Sequence, residues 1–287
     1  MLDIIEPIES TLGKRIINLQ RIGRGYTPAQ RIVVSFADGS SLFAKRGVTP
    51  ATADWLRSEK RIYETLSGPF MPHYLGWIED ESPILLLEDL SHAHWPPPWR
   101  EDQIRCVVDT LPSLWGSSLS EIPRLVDLME KHNGWIQVAA DPAPFLALGM
   151  ASASWLDRAL PTLLSIDGSQ VVDGDSLLHL DLRSDNICFH EDRVIIVDWN
   201  LVCTGNPRFD LGFWLPSLEA EGGPPPEAIL PDAGEIAALV SGFFAARAGL
   251  PLIPDAPNVR HIQQVQLRTA LPWAVRSLGL PSLDGSD

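Results

Sequence analysis

Leu178-His179-Leu180-Asp181-Leu182-Arg183-Ser184-Asp185-Asn186 holds the pattern H-x-D-x-x-x-x-N. Asp198 follows at the end of an apolar run and precedes Trp199 and Asn200. Between these points lie Ile187-Cys188-Phe189 and Val194-Ile195-Ile196-Val197, separated by Glu191-Asp192. Two short β-prone runs around a polar turn predict a hairpin. That hairpin brings Asn186 and Asp198 to one end of its strands. Phosphoryl transfer needs such a set. One carboxylate accepts the proton of a hydroxyl, and an amide oxygen and a second carboxylate hold the metal that bridges the phosphates. Asp181 suits the base. Asn186 and Asp198 suit magnesium, which prefers hard oxygen ligands.

Upstream, residues 16–22, 31–36, 41–45, 76–78 and 84–87 read as strands, with Ala37-Asp38-Gly39 as a hairpin turn. Residues 54–66 read as the one helix among them, with Trp55, Ile62 and Leu66 on one face. Lys45 falls on the third strand and Glu59 on the helix after it. A strand lysine held by a helix glutamate is a usual grip for the α- and β-phosphates of a nucleotide. Glu64 is a rival for the glutamate's place. Asp210, in Asn206-Pro207-Arg208-Phe209-Asp210-Leu211, is placed to accept hydrogen bonds from the backbone of the Asp181 loop.

The Pro-rich run Ser91-His92-Ala93-His94-Trp95-Pro96-Pro97-Pro98-Trp99 cannot be regular structure and marks a boundary. His92 and His94 flank Ala93 there without a third ligand, so zinc is not expected. Beyond it, residues 103–119, 122–131, 145–164, 234–248 and 259–278 read as helices. Gly222-Gly223-Pro224-Pro225-Pro226 reads as a loop. The expected organisation is a nucleotide-binding lobe over residues 1–90 and a helical catalytic and acceptor-binding lobe over residues 91–287.

The chain has 287 residues and a formal net charge of −15, which argues against nucleic acid or an anionic membrane as partner. The charge is uneven. Residues 1–100 hold 11 Lys and Arg against 12 Asp and Glu, while residues 101–287 hold 11 against 25. The first part can meet an anion; the second favours a cation, although acidic surface also serves solubility. Three cysteines without a C-x-x-C pair predict neither a disulfide scaffold nor a zinc knuckle. The start Met1-Leu2-Asp3-Ile4-Ile5-Glu6 lacks the basic and apolar regions of a signal peptide, and no apolar run is long enough to span a bilayer. A cytoplasmic protein, monomeric or weakly dimeric, is the expectation.

From Ile22 to about Leu280 the chain resembles the aminoglycoside phosphotransferase and choline kinase-like family. The resemblance implies an α+β, bilobal protein-kinase-like fold, with a small antiparallel sheet lobe and a larger, mainly helical lobe. It implies that Lys45 and Glu59 form the family's ion pair and that Asp181 is the catalytic aspartate. Asn186 and Asp198 would be the Mg2+ ligands and Asp210 the structural aspartate. Glu88 to Leu90 would be the hinge whose backbone meets the purine of ATP or GTP. Arg183, two residues after the base, would touch the γ-phosphate; pairing with Asp185 or Asp210 is the other possibility. The chain departs from the family pattern in three places. Leu180 stands where the family has glycine. The nucleotide loop Gly23-Arg24-Gly25-Tyr26-Thr27-Pro28 has two of three glycines. Asp198-Trp199-Asn200 is not D-F-G, and no A-P-E follows, which argues against a regulated protein kinase.

The expectation is therefore a small-molecule kinase that moves the γ-phosphate of a nucleoside triphosphate to a hydroxyl. An aminoglycoside-like cation is the first choice of acceptor, with Glu219 and Glu221 reaching it from a loop and Trp214 and Trp273 lining its cleft. Alternatives are another hydroxylated metabolite, such as a macrolide, amino alcohol or sugar, or a nucleotide-binding protein without turnover.

Overall fold

In the computed structural model, the structure describes residues 4–23, 28–130, 134–254 and 256–283. In chain order the elements begin with α1 (Ile5–Leu12), β1 (Ile16–Arg21), β2 (Gln30–Phe36), β3 (Ser41–Arg46), α2 (Pro50–Thr65), β4 (Tyr74–Ile78) and β5 (Ile84–Leu87). Then come α3 (Glu101–Trp115), α4 (Leu125–Glu130), α5 (Gly134–Ala140), α6 (Ala143–Leu146), α7 (Ala153–Leu164), α8 (Gly168–Val172) and β6 (Ser176–Leu178). The chain ends with β7 (Ile187–His190), β8 (Arg193–Ile196), β9 (Cys203–Gly205), α9 (Arg208–Ala220), α10 (Pro226–Ile229), α11 (Gly234–Ala248) and α12 (Val259–Leu278). Two compact units result: residues 1–96 with 185–200, and residues 97–184 with 201–287.

The first unit is built on an antiparallel five-stranded sheet in the order β1-β2-β3-β5-β4. Ile32, Val34 and Phe36 alternate along β2 and meet Leu42, Ala44, Ile84 and Leu86 in one core. Alternation is what a half-buried strand requires. Ile4 and Ile8 join that core from α1, a second helix that the sequence reading did not assign. Thr49 caps α2 by accepting the Thr52 N–H while the Thr52 hydroxyl accepts the Thr49 N–H, with Pro50 at the first helical position. The buried face of α2 is Ala53, Leu56, Glu59 and Tyr63. Trp55 is 52% exposed, so the expected stripe through Trp55 is rotated away from the core. The β7–β8 hairpin forms as predicted but packs with this unit. The Ile196 N–H donates to Phe70 C=O, and Cys188 and Ile195 share a core with Leu90.

The second unit is helical. α11 is buried nearly all round, against α12, α5 and α9. At its crossing with α5 a Cβ on Gly134 would meet the Gly242 carbonyl oxygen at 1.8 Å, so only glycine permits the approach. The expected helix over residues 145–164 is broken into α6 and α7: Gly149 sits at φ +67° and the Ser152 hydroxyl caps α7. α9 is an additional helix, and it contains Glu219, which the sequence reading placed in a loop. Trp214 and Trp273 are fully buried and therefore pack in the core; they do not line a cleft. Among the described residues no helix is long and apolar enough to cross a membrane.

Candidate active site

Lys45 sits one residue from the C-terminal end of β3, paired across to Arg31 and Leu85. Its Nζ donates to Glu59 Oε2 at 2.7 Å and to Asp198 Oδ1 at 3.0 Å. Glu59, not Glu64, is thus the helix partner; Glu64 pairs with Lys60 and Tyr74. Glu59 is 1% exposed. Burial works against the Lys45 charge, but Asp198 and Glu59 outweigh it and hold its pKa above the ordinary lysine value. Burial raises the Glu59 pKa, and the Lys45 ammonium only partly offsets it. The Tyr63 hydroxyl, one helical turn beyond Glu59, is buried, and its pKa is driven well up by that burial and by Glu59 and Asp198.

Asn186 and Asp198 flank the hairpin. The Val197 N–H donates to the Asn186 C=O at 2.9 Å, which extends the β7–β8 ladder by one pair. Both residues therefore stand at the same open end of the hairpin. Asp198 holds φ at +67°, an uncommon value for a residue with a Cβ and one that recurs at functional sites. Its Oδ1 accepts from Lys45 and from the Asn200 amide. An amide oxygen and a carboxylate side by side are hard donors suited to magnesium, which takes few protein ligands and completes its shell with phosphate and water. The residues present fit that ion. Among the described residues no three His, Cys, Asp or Glu side chains gather as a closed metal cage.

Just after β5, Glu88 receives Arg193 and the His73 N–H on its carboxylate, and its own N–H donates to His73 C=O at 2.9 Å. Leu90 C=O accepts the Trp95 indole N–H at 3.0 Å. These bonds fix the backbone of residues 88–90. Gly23 is described and has open space around it, whereas Gly25 lies outside the described residues.

In the second unit, Asp181 follows β6. Its N–H donates to His179 Nδ1 at 3.3 Å, and its Oδ1 lies 3.4 Å from Arg183 Nε. Arg183 thus meets Asp181, a contact the sequence reading did not consider. Asp210, fully buried on α9, collects three donors: Leu180 N–H at 2.7 Å, His179 N–H at 3.2 Å and the Trp115 indole at 2.9 Å. Burial nonetheless lifts its pKa to about 6 against the pull of those donors. Leu180 sits at φ +64°. This is the conformation that glycine adopts without penalty, and it explains why glycine suits the position. Here leucine takes the same backbone, held by Asp210.

Sequence reasoning missed two contacts. Trp115, at the end of α3, bonds Asp210. Glu221 lies in the turn just past α9, as the sequence placed it, but it accepts the Ser184 hydroxyl at 2.6 Å and the Trp99 indole at 2.7 Å. Nothing local in the sequence signals either bond.

An antiparallel sheet unit carrying a Lys–Glu pair, followed by a helical unit carrying the H-x-D tract, defines a kinase-like phosphotransferase. The model of the phosphotransferase enzyme family (APH) matches residues 87–248, more than half of the chain, and the chain belongs to that family. Solved structures agree on the fold. A macrolide 2'-phosphotransferase type I matches with TM-score 0.54 at 15% identity, over 97% of this chain and 91% of that one. The macrolide 2'-phosphotransferase of Brachybacterium faecium matches with TM-score 0.51 at 13% identity, over 97% and 93%. A choline/ethanolamine kinase family protein of Mesorhizobium loti matches with TM-score 0.54 at 14% identity, over 96% and 100%. Comparison with curated proteins finds no match. The chain is a phosphotransferase that acts on hydroxyl groups, and its family implies a nucleotide donor and a small-molecule acceptor.

Proposed function

We propose that the protein transfers the γ-phosphate of ATP or GTP to a hydroxyl of a cationic, aminoglycoside-like acceptor, with Mg2+. The observation that carries the kinase reading is the bonding of Lys45 to both Glu59 and Asp198. That contact joins the phosphate-gripping lysine to a metal-binding carboxylate. Asn186 and Asp198 would hold the metal, which would neutralise phosphate charge. Lys45 grips the α- and β-phosphates and Glu59 keeps its ammonium aimed. Gly23 and Gly25 let the backbone approach the phosphates, and backbone groups between Glu88 and Leu90 meet the purine. Asp181 accepts the proton of the acceptor hydroxyl as its oxygen bonds to the γ-phosphorus and the nucleoside diphosphate leaves. Arg183, beside Asp181, draws the γ-phosphate toward it. The left-handed Leu180 keeps the loop shape that the family's glycine allows, which weighs against a protein without turnover.

The acidic excess of residues 101–287 supports a cationic acceptor. With Glu221 engaged by Ser184 and Trp99, that support rests on the excess and not on Glu221. Mass spectrometry of an acceptor panel, incubated with nucleotide and Mg2+, tests the reading. Aminoglycosides should gain one phosphate, and Asp181→Ala should lower turnover by roughly 10²–10⁴. Phosphorylation of neutral alcohols alone would overturn the acceptor assignment. Undiminished turnover in Asp181→Ala would overturn the catalytic one.

A further inference from the structure

We infer that Glu221 is a positioning residue that clasps the C-terminal end of the Asp181 loop. This inference rests on the reading of Asp181 as the catalytic base. Both carboxylate oxygens of Glu221 are used: Oε1 accepts the Ser184 hydroxyl at 2.6 Å and Oε2 accepts the Trp99 indole N–H at 2.7 Å. Short bonds to a carboxylate are charge-assisted and stronger than neutral ones.

The helix end is built to hold Glu221 still. The Glu221 N–H donates to Ser217 C=O, the Gly222 N–H to Glu219 C=O and the Gly223 N–H to Leu218 C=O. Gly222 takes φ +91°, and a Cβ on Gly223 would meet Leu218 Cγ at 2.6 Å. This is a glycine-terminated helix end in which the orphan carbonyls are satisfied. The Pro224-Pro225-Pro226 run that follows cannot continue the helix. The Trp99 ring is seated in turn, 5.6 Å from the ring of the fully buried Trp214.

α3 gives the arrangement its logic. Trp99 stands immediately before Arg100, which caps the helix, and Trp115 is its last residue. Each tryptophan donates its indole N–H to a carboxylate. Trp115 reaches Asp210, which holds the loop at His179 and Leu180; Trp99 reaches Glu221, which holds it at Ser184. Asp181 therefore lies between two braced points, both referred to one helix. Holding a base within a fraction of an ångström is worth one to two orders of magnitude in rate.

The test combines kinetics with amide hydrogen exchange on the full chain. Glu221→Ala and Ser184→Ala should each lower kcat by about tenfold and leave the KM values for nucleotide and acceptor within about twofold. The double variant should be no worse than either single one, because both remove the same bond. Glu221→Gln, which keeps one accepting oxygen, should fall between wild type and Glu221→Ala. Exchange over residues 181–184 should rise in every variant, Trp99→Phe included. A raised acceptor KM with unchanged kcat in Glu221→Ala, or no effect of Ser184→Ala, would overturn the clasp and return Glu221 to acceptor binding. Unchanged exchange would overturn it as well. Exchange reads the clasp without turnover, so it separates failure of this inference from failure of the kinase reading, which Asp181→Ala reports.

Discussion

Asp210 is fully buried with three N–H groups aimed at its carboxylate, and its pKa still rises to about 6, from 3.8, because desolvation outweighs them. The folded protein therefore binds this proton more tightly than the unfolded chain does. Stability from this group is fully present below about pH 4 and is lost as pH rises toward 6, after which it is constant. The shift corresponds to about 3 kcal/mol between the two plateaus, since each unit is about 1.4 kcal/mol. Asp210→Asn removes the titration. Denaturant unfolding at pH 4 and pH 7 should show wild type losing about 2 kcal/mol relative to Asp210→Asn across that interval, less than the full plateau difference because the unfolded chain is already partly ionised at pH 4; a constant difference would contradict the raised pKa. At this scale the sequence was partly legible. Spacing within the H-x-D-x-x-x-x-N tract and out to Asp198 and Asp210 nominated residues whose side chains and backbone do meet: Asp210 with the loop amides, Asp198 with Lys45. It did not disclose Trp115 and Glu221 as partners, because those bonds join residues far apart in the chain and depend on how helices pack.

Elements became legible wherever polarity repeated with a period. β2 was legible as a β-branched run ended by the Ala37-Asp38-Gly39 turn and β3 as the strand returning from it, and the helical spacing over residues 259–278 matches α12. α9 did not, because Phe209, Asp210, Leu211, Gly212 and residues 214–218 are all buried and leave no polar face to mark a stripe. α1 was hidden by Pro7, which disguises a helix start although proline is tolerated in a first turn. The rotation of α2 that exposes Trp55 has a cause. The element must turn Glu59 inward to meet Lys45, and Ala53, Leu56 and Tyr63 follow on the same face. The β3–α2 connection thus depends on one buried pair. Lys45→Met leaves the Glu59 carboxylate buried without its cation, and should destabilise the first unit by about 3–5 kcal/mol. Lys45→Met with Glu59→Leu should recover most of that loss while phosphotransfer stays absent. Chemical denaturation of the two variants checks the expectation, and equal stability of single and double variants would refute it.

On the scale of the whole molecule, the first unit is discontinuous in sequence: residues 1–96 supply the sheet, and residues 185–200 supply the hairpin, Asn186 and Asp198. A fragment of residues 1–96 lacks Cys188 and Ile195 against Leu90, the Ile196 bond to Phe70 and the Asp198 partner of Lys45. It should unfold without a cooperative transition, and joining residues 185–200 to it through a flexible linker should restore one. A fragment that melts as sharply alone would show that the hairpin is dispensable. The tract from Asp181 to Asn186 is divided by the same boundary, between Ser184 and Asp185. This arrangement sets a schedule for synthesis on the ribosome. The sheet emerges first, yet the hairpin that completes its unit, against Leu90 and Phe70, is encoded beyond α3 to α8, so the unit waits, unfinished, while much of the second unit is made. Long-range closure of this kind is slow and leaves apolar surface open in the interval. The nascent chain is therefore most exposed to chaperones and proteases between release of β5 and release of β8, and Lys45 acquires its second carboxylate only when that window closes.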